Sequence, residues 1–163
     1  MPKKLYSLFT IFALSVSILF LQSCDNQASQ VNEAMRDKVV TELKHTLETE
    51  DKWVKVHAAE YLLALSYSEG VREIFLDENE KHGTEPQYRI GIWRVLARAS
   101  FDSKEKEKWL NKIWNAFLDE NGPDRIHAAE TLAKLNQNLL SREPQIANRL
   151  IAGKDEKLAA FVR

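Results

Sequence analysis

With five Gly, four Pro and one Cys in 163 residues, the chain has too few turn residues for a β-rich fold and no second thiol for a disulfide. Its 44% hydrophobic and 29% charged residues are those of an ordinary globular domain. Lys and Arg number 23 against 24 Asp and Glu, so the net charge of −1 offers no basic excess of the kind a nucleic-acid surface uses.

In chain order, Lys3 and Lys4 come first, the run Leu5 to Leu21 carries no charge, and Leu21-Gln22-Ser23-Cys24 closes the segment. This is the order of an export signal: a basic start, an apolar middle and a small residue before the cut. Several Ser and Thr interrupt the run, which falls short of the roughly 20 strongly apolar residues a spanning helix needs. The L-Q-S-C ending resembles the lipobox of bacterial lipoproteins. That resemblance implies that residues 1–23 are a signal peptide and that Cys24 is the lipid-attachment residue. It places the mature chain in the bacterial cell envelope, anchored to a membrane and facing periplasm or exterior. At about 0.8 kcal/mol per buried methylene, two or more acyl chains anchor a domain durably without spanning the bilayer. Loss of Lys3 and Lys4 with the signal leaves 21 basic against 24 acidic side chains, a net of about −3. Residues 24–30 are then the lipidated cysteine and a polar tether, and 31–163 the folded part.

The first predicted helix covers Gln30 to Glu50, with Val31, Met35, Val39, Val40, Leu43 and Leu47 at intervals of three and four. Three segments beyond it can be aligned: Lys55-Val56-His57-Ala58-Ala59-Glu60-Tyr61-Leu62, Arg89-Ile90-Gly91-Ile92-Trp93-Arg94-Val95-Leu96 and Arg125-Ile126-His127-Ala128-Ala129-Glu130-Thr131-Leu132. Their offsets are 34 and 36 residues, and the middle copy reads as degenerate, with Ile92 and Trp93 where the others have two alanines. A second helix follows each of the first two, Val71 to Asn79 and Lys104 to Glu120, and both run into the word F-L-D-E-N, at Phe75 to Asn79 and at Phe117 to Asn121. Thr84-Glu85-Pro86-Gln87 reads as a capping box, Asp102 to Glu105 as an acidic cap, and Asn121-Gly122-Pro123 as a stop followed by a start. Pro144 to Ala152, closed by Gly153, completes a third pair. A last helix from Asp155 to Arg163 carries Leu158, Phe161 and Val162 on one side.

A basic residue, two small residues three and four later and a Leu seven later, on helix pairs repeating every ~35 residues, resembles HEAT repeats. Lys55, Arg89 and Arg125 fall where that family carries its arginine, and Ala58-Ala59 and Ala128-Ala129 where it carries small residues. The resemblance implies an all-α fold, an α-α superhelix of about three hairpins plus flanking helices. Small residues let helices approach while Leu62, Leu63 and Leu132 fill the space between layers, and stacking buries the face that a lone pair leaves wet. The apolar edge of the last helix also fits a chain that is one part of a larger repeat assembly.

His57 with Glu60 and His127 with Glu130 are the candidate metal ligands, since residues three apart share a helical face. HEAT-like di-iron hydroxylases offer a pointed comparison, because they carry His-Glu dipeptides before an A-A-E-A-L stretch. Here His57 stands at the glutamate position and Val56 at the histidine position, Ile126-His127 repeats the mismatch, and no His-Glu dipeptide occurs in the chain. The sequence therefore points to packing in both words, with no metal or cofactor and no catalytic residue. Phosphate loops, G-x-S-x-G and H-E-x-x-H are all missing. The basic series Lys55, Arg89 and Arg125 is expected to pair with acids of neighbouring repeats or with loop carbonyls, and Trp53, Trp93, Trp109 and Trp114 to be core. The expected function is a non-catalytic scaffold held at a membrane by its lipid and offering a curved face to a protein partner. A metal-binding HEAT-like enzyme is the alternative.

Overall fold

The computed structural model describes residues 33–153, so Cys24, the tether and the last predicted helix lie outside the described residues. The described residues are all-α, with eight helices and no strand. They are α1 (Glu33–Thr49), α2 (Lys52–Ala64), α3 (Val71–His82), α4 (Tyr88–Ala99), α5 (Ser103–Leu118), α6 (Arg125–Lys134), α7 (Leu139–Arg142) and α8 (Pro144–Ile151). Packing divides the chain into two units at Val39 and Val40; the first is described only through Glu33–Val39, the opening turns of α1. Everything below concerns the unit that begins at Val40. In its part of α1, Val40 and Leu47 are buried and Leu43 packs against the core, as the three-four spacing predicts.

Helix α4 is the centre of this unit. Ten of its twelve residues are buried, and α2, α3, α5 and α6 all pack against it. A helix covered on every side needs no polar face, which is why its sequence lacks a clean apolar stripe. Below it, α5 contributes Trp109, Leu110, Ile113, Trp114 and Phe117, the wide apolar face read from its sequence, with Trp114 edge-on to Phe117 at 5.8 Å. Helices α2 and α6 supply the small residues: Ala58, Ala59 and Ala128 are buried, Ala129 is half-buried, and Leu62 and Leu132 fill the adjoining space.

The twin words extend past their helices. After α2, Ser66 adopts φ 68° and the N–H groups of Ser66 and Tyr67 bond back to Leu63 and Leu62 at 3.2 and 2.8 Å. After α6, Asn136 adopts φ 53° and the N–H groups of Asn136 and Gln137 bond back to Ala133 and Leu132 at 3.0 and 2.9 Å. Both ends are Schellman caps, the left-handed closure that satisfies terminal carbonyls. Gly153 at φ 67° ends the last described segment in the left-handed region too, as its glycine predicts.

Three local expectations meet a different outcome. Thr84–Gln87 forms no capping box; the N–H of Gln87, at φ 66°, donates instead to the Asp124 carboxylate, and Glu85 is taken up by His82 and Lys52. The second F-L-D-E-N is not a copy of the first in structure. In α3 it runs on helically to His82, whereas α5 stops at Leu118, because Gly122 and Pro123 follow at once. Helix α7, too short to show a period, was not expected; Asn138 caps it by accepting from the Ser141 N–H at 3.0 Å. At Asp102 the expected acidic cap is present: its carboxylate accepts from the Glu105 N–H at 2.8 Å.

Candidate functional site

Helices α2, α4 and α6 lie against one another, α4 in the middle, so the three aligned segments share one face. Register then decides which side chains meet. Glu60, Arg94 and Glu130 occupy the same place in the three segments, as do His57, Gly91 and His127. Arg94 is only 3% exposed. Its Nε lies 2.6 Å from Glu60 Oε1, its Nη2 donates to Glu60 Oε2 at 3.1 Å, and its Nη1 donates to Thr131 Oγ1 at 3.1 Å. The Nε–H is angled away from the carboxylate, so that contact is ionic while Nη2 forms the hydrogen bond. Arg98 adds a more distant contact to Glu60 at 3.7 Å, and His57 Nδ1 sits 3.2 Å from Glu60 Oε2. Glu130 is tied to Lys134 at 2.8 Å; that hydrogen bond, with the charges of Lys134, Arg94 and His127, holds its carboxyl below the usual range.

Above this charged row, Trp53 spans the gap left by Gly91. A Cβ on Gly91 would stand 2.9 Å from Trp53 Cζ3 and 3.1 Å from Val56 Cγ2. The indole stacks toward His127 at 6.1 Å and 26°, tilts against His57 at 6.3 Å, and meets Tyr88 edge-on at 6.2 Å. Trp53, His57, Arg94, His127, Glu130 and Lys134 line a recess of about 220 Å³. That is below the roughly 300 Å³ at which drug-sized ligands are housed, so it is a socket for one side chain or a small polar group. Inside it, His127 Nδ1 is buried without a hydrogen-bond partner. Gly91→Val is expected to cost about 2 kcal/mol by pushing Trp53 and Val56 apart. Urea unfolding of the variant checks this, and an unchanged midpoint would show that the indole does not depend on the gap.

The four candidate ligands do not converge. Trp53 stands against both histidines, and His57 is 56% exposed and turned to Glu60. Among the described residues no three His, Cys, Asp or Glu side chains come together in a way that could hold a metal ion. The basic series has other occupations. Lys55 pairs with Glu78 at 2.7 Å, Arg89 with Asp124 at 2.6 Å, and Arg125 Nε donates to the Phe117 carbonyl at 3.1 Å. Burial alone would raise the Glu78 carboxyl, but hydrogen bonds from Lys55 and Tyr88 bring it below its ordinary value. Burial, with that same bond to Glu78, pushes the Tyr88 phenol up. Trp93, Trp109 and Trp114 are core residues, whereas half-buried Trp53 lines the recess. Arg94 and Gly91 lie in the copy that reads as degenerate, although alignment sets one arginine between two glutamates in register. No family model, curated protein or solved structure matches this chain.

Proposed function

We propose that the chain is a lipid-anchored, non-catalytic protein-binding module: a HEAT-like α-α superhelix of about three hairpins, tethered through Cys24 to a bacterial envelope membrane. The observation that carries the superhelical reading is a reach that recurs among its polar links, beside shorter ones such as Lys55–Glu78 at 23 residues and Glu120–Arg149 at 29. Lys52–Glu85, Arg72–Glu105, Glu60–Arg94, Arg89–Asp124, Arg94–Thr131 and Glu107–Arg142 are separated by 33, 33, 34, 35, 37 and 35 residues. Bonds that each join a residue to the neighbourhood one period on are those of units touching mainly their neighbours. The shared Schellman ends of α2 and α6 point the same way. Anchoring rests on the L-Q-S-C sequence after a basic and then uncharged run. Binding as the role is supported by the recess and charged rows of the helical face.

The test is capture of the full chain from its own membranes beside Cys24→Ser. The wild type is expected to take up a labelled fatty acid and to partition into membranes at least about tenfold more than the variant, given the anchoring strength of two or more acyl chains. One companion protein is expected to be recovered reproducibly. An unlabelled wild type would end the anchor, and stoichiometric iron or zinc lost on replacing His57 or His127 would replace a binding role with a metal-based one.

A further inference from the structure

On α5 the acids and the lysines face different fates. Glu105 accepts from Arg72 at 3.0 and 2.6 Å, and Glu107 from Arg142 at 3.3 Å, so helices to either side neutralise both. Lys104, Lys108 and Lys112, spaced by four, pair with no acid among the described residues. Like charges at that spacing repel, so the row is unfavourable for the helix that carries it. Its inner end is fixed over aromatic rings. Lys108 Nζ sits 4.7 Å from the Trp109 ring, and Lys112 Nζ lies 5.1 Å from Trp93 and 5.2 Å from Trp109. Arg89 borders the same ring of Trp93 at 5.5 Å, although Asp124 neutralises it. Lys112 is half-buried, and burial, together with the charges of Lys108 and Arg89, lowers its pKa. An ammonium held partly out of water beside Lys108, which has no acid of its own among the described residues, is a site prepared for a negative group.

We infer that the Lys104–Lys108–Lys112 row is the docking surface for an extended acidic segment of the partner protein, one carboxylate to each lysine. The inference rests on the protein-binding reading above. Spacing selects this occupant. Four residues of helix rise about 6 Å, and two residues of extended chain span about 6.6 Å, so acids at alternate positions match the row along its length. A lipid surface presents mobile headgroups in a plane, which exposed Lys104 and Lys108 would meet before recessed Lys112. The row also stands out against a chain of net charge −1, so complementarity is local and does not come from overall charge.

The experiment is fluorescence anisotropy with the full chain and three labelled peptides: alternating Glu-Ser, the same residues as a Glu block followed by a Ser block, and alternating Lys-Ser. Vesicles containing phosphatidylglycerol form a fourth arm. The alternating acidic peptide is expected to bind at least fivefold tighter than the block and to weaken as salt rises; the lysine peptide is expected not to bind. Lys108→Gln with Lys112→Gln keeps both stems over the tryptophans and should weaken binding at least tenfold, whereas Lys81→Gln on α3 should leave it unchanged. No binding of the alternating peptide, or equal binding by the double variant, overturns the proposal. Vesicle binding lost in that variant, with no peptide binding, would replace it with a lipid site. If the double variant still captures the native companion, this row is not the docking surface and the protein-binding role stands. If wild type captures nothing, the role itself fails.

Discussion

Arg94→Met is expected to lower the stability of the helical unit by about 3 kcal/mol, the lower end of what breaking a buried ion pair costs. Arg94 is 3% exposed and ties Glu60 of α2 to Thr131 of α6 across the middle helix. Its removal leaves a fully buried hydroxyl and a mostly buried carboxylate short of their principal donor. The residual contacts of Glu60 with His57 at 3.2 Å and Arg98 at 3.7 Å keep the cost from being larger. Met matches the stem of Arg, so little of the loss comes from packing. Adding Glu60→Leu to Arg94→Met should return about 1–2 kcal/mol, since replacing both partners of a pair by apolar groups is far less costly than stranding one. Urea unfolding of the two single variants and the double variant measures the coupling. An Arg94→Met variant within about 0.5 kcal/mol of wild type would mean that the Glu60–Arg94 pair is ornamental to the fold, as most surface pairs are.

That residue marks the boundary of what could be read from the letters. Helix content, the apolar face of α5, the burial of Ala58, Ala59 and Ala128, and the cap at Asp102 all follow from local rules, period, side-chain size and side-chain oxygen, and the structure has them. The repeat was visible where the words were alike. In α4 it is masked, because a helix enclosed on four sides has no polar face and replaces the alanine pair with Ile92 and Trp93. What looked like decay there is complementarity: Gly91 makes room for an indole from α2, and Arg94 answers the two glutamates in register with it. The recess was not legible at all, since it needs Trp53, His57, Arg94 and His127 from three helices. Likewise the donor and acceptor at Gln87 and Asp124 lie 37 residues apart, beyond the reach of any capping rule.

Asp124→Ala should be the second most damaging polar change, at about 2–3 kcal/mol, because one buried carboxylate satisfies two groups that tie the start of α4 to the start of α6. Asp124 is 1% exposed at the start of α6, and it accepts from the backbone N–H of Gln87 and from Arg89 Nε at 2.6 Å. Gln87 is held at φ 66°, a conformation disfavoured for a residue with a Cβ, and Asp124 is what fixes its N–H there. Arg89, at 28% exposed and over the Trp93 ring at 5.5 Å, can turn to water when the acid is gone. The orphaned amide cannot, so the cost belongs mainly to the backbone bond. Asp124→Asn separates the two contributions, since its carbonyl oxygen still accepts from Gln87 while the charge opposite Arg89 is lost. Asn is expected to recover more than half of the Ala deficit in thermal and urea unfolding. Equal damage from Asn and Ala would assign the stabilisation to the ion pair instead, and would make the loop before α4 a consequence of Arg89 finding its acid.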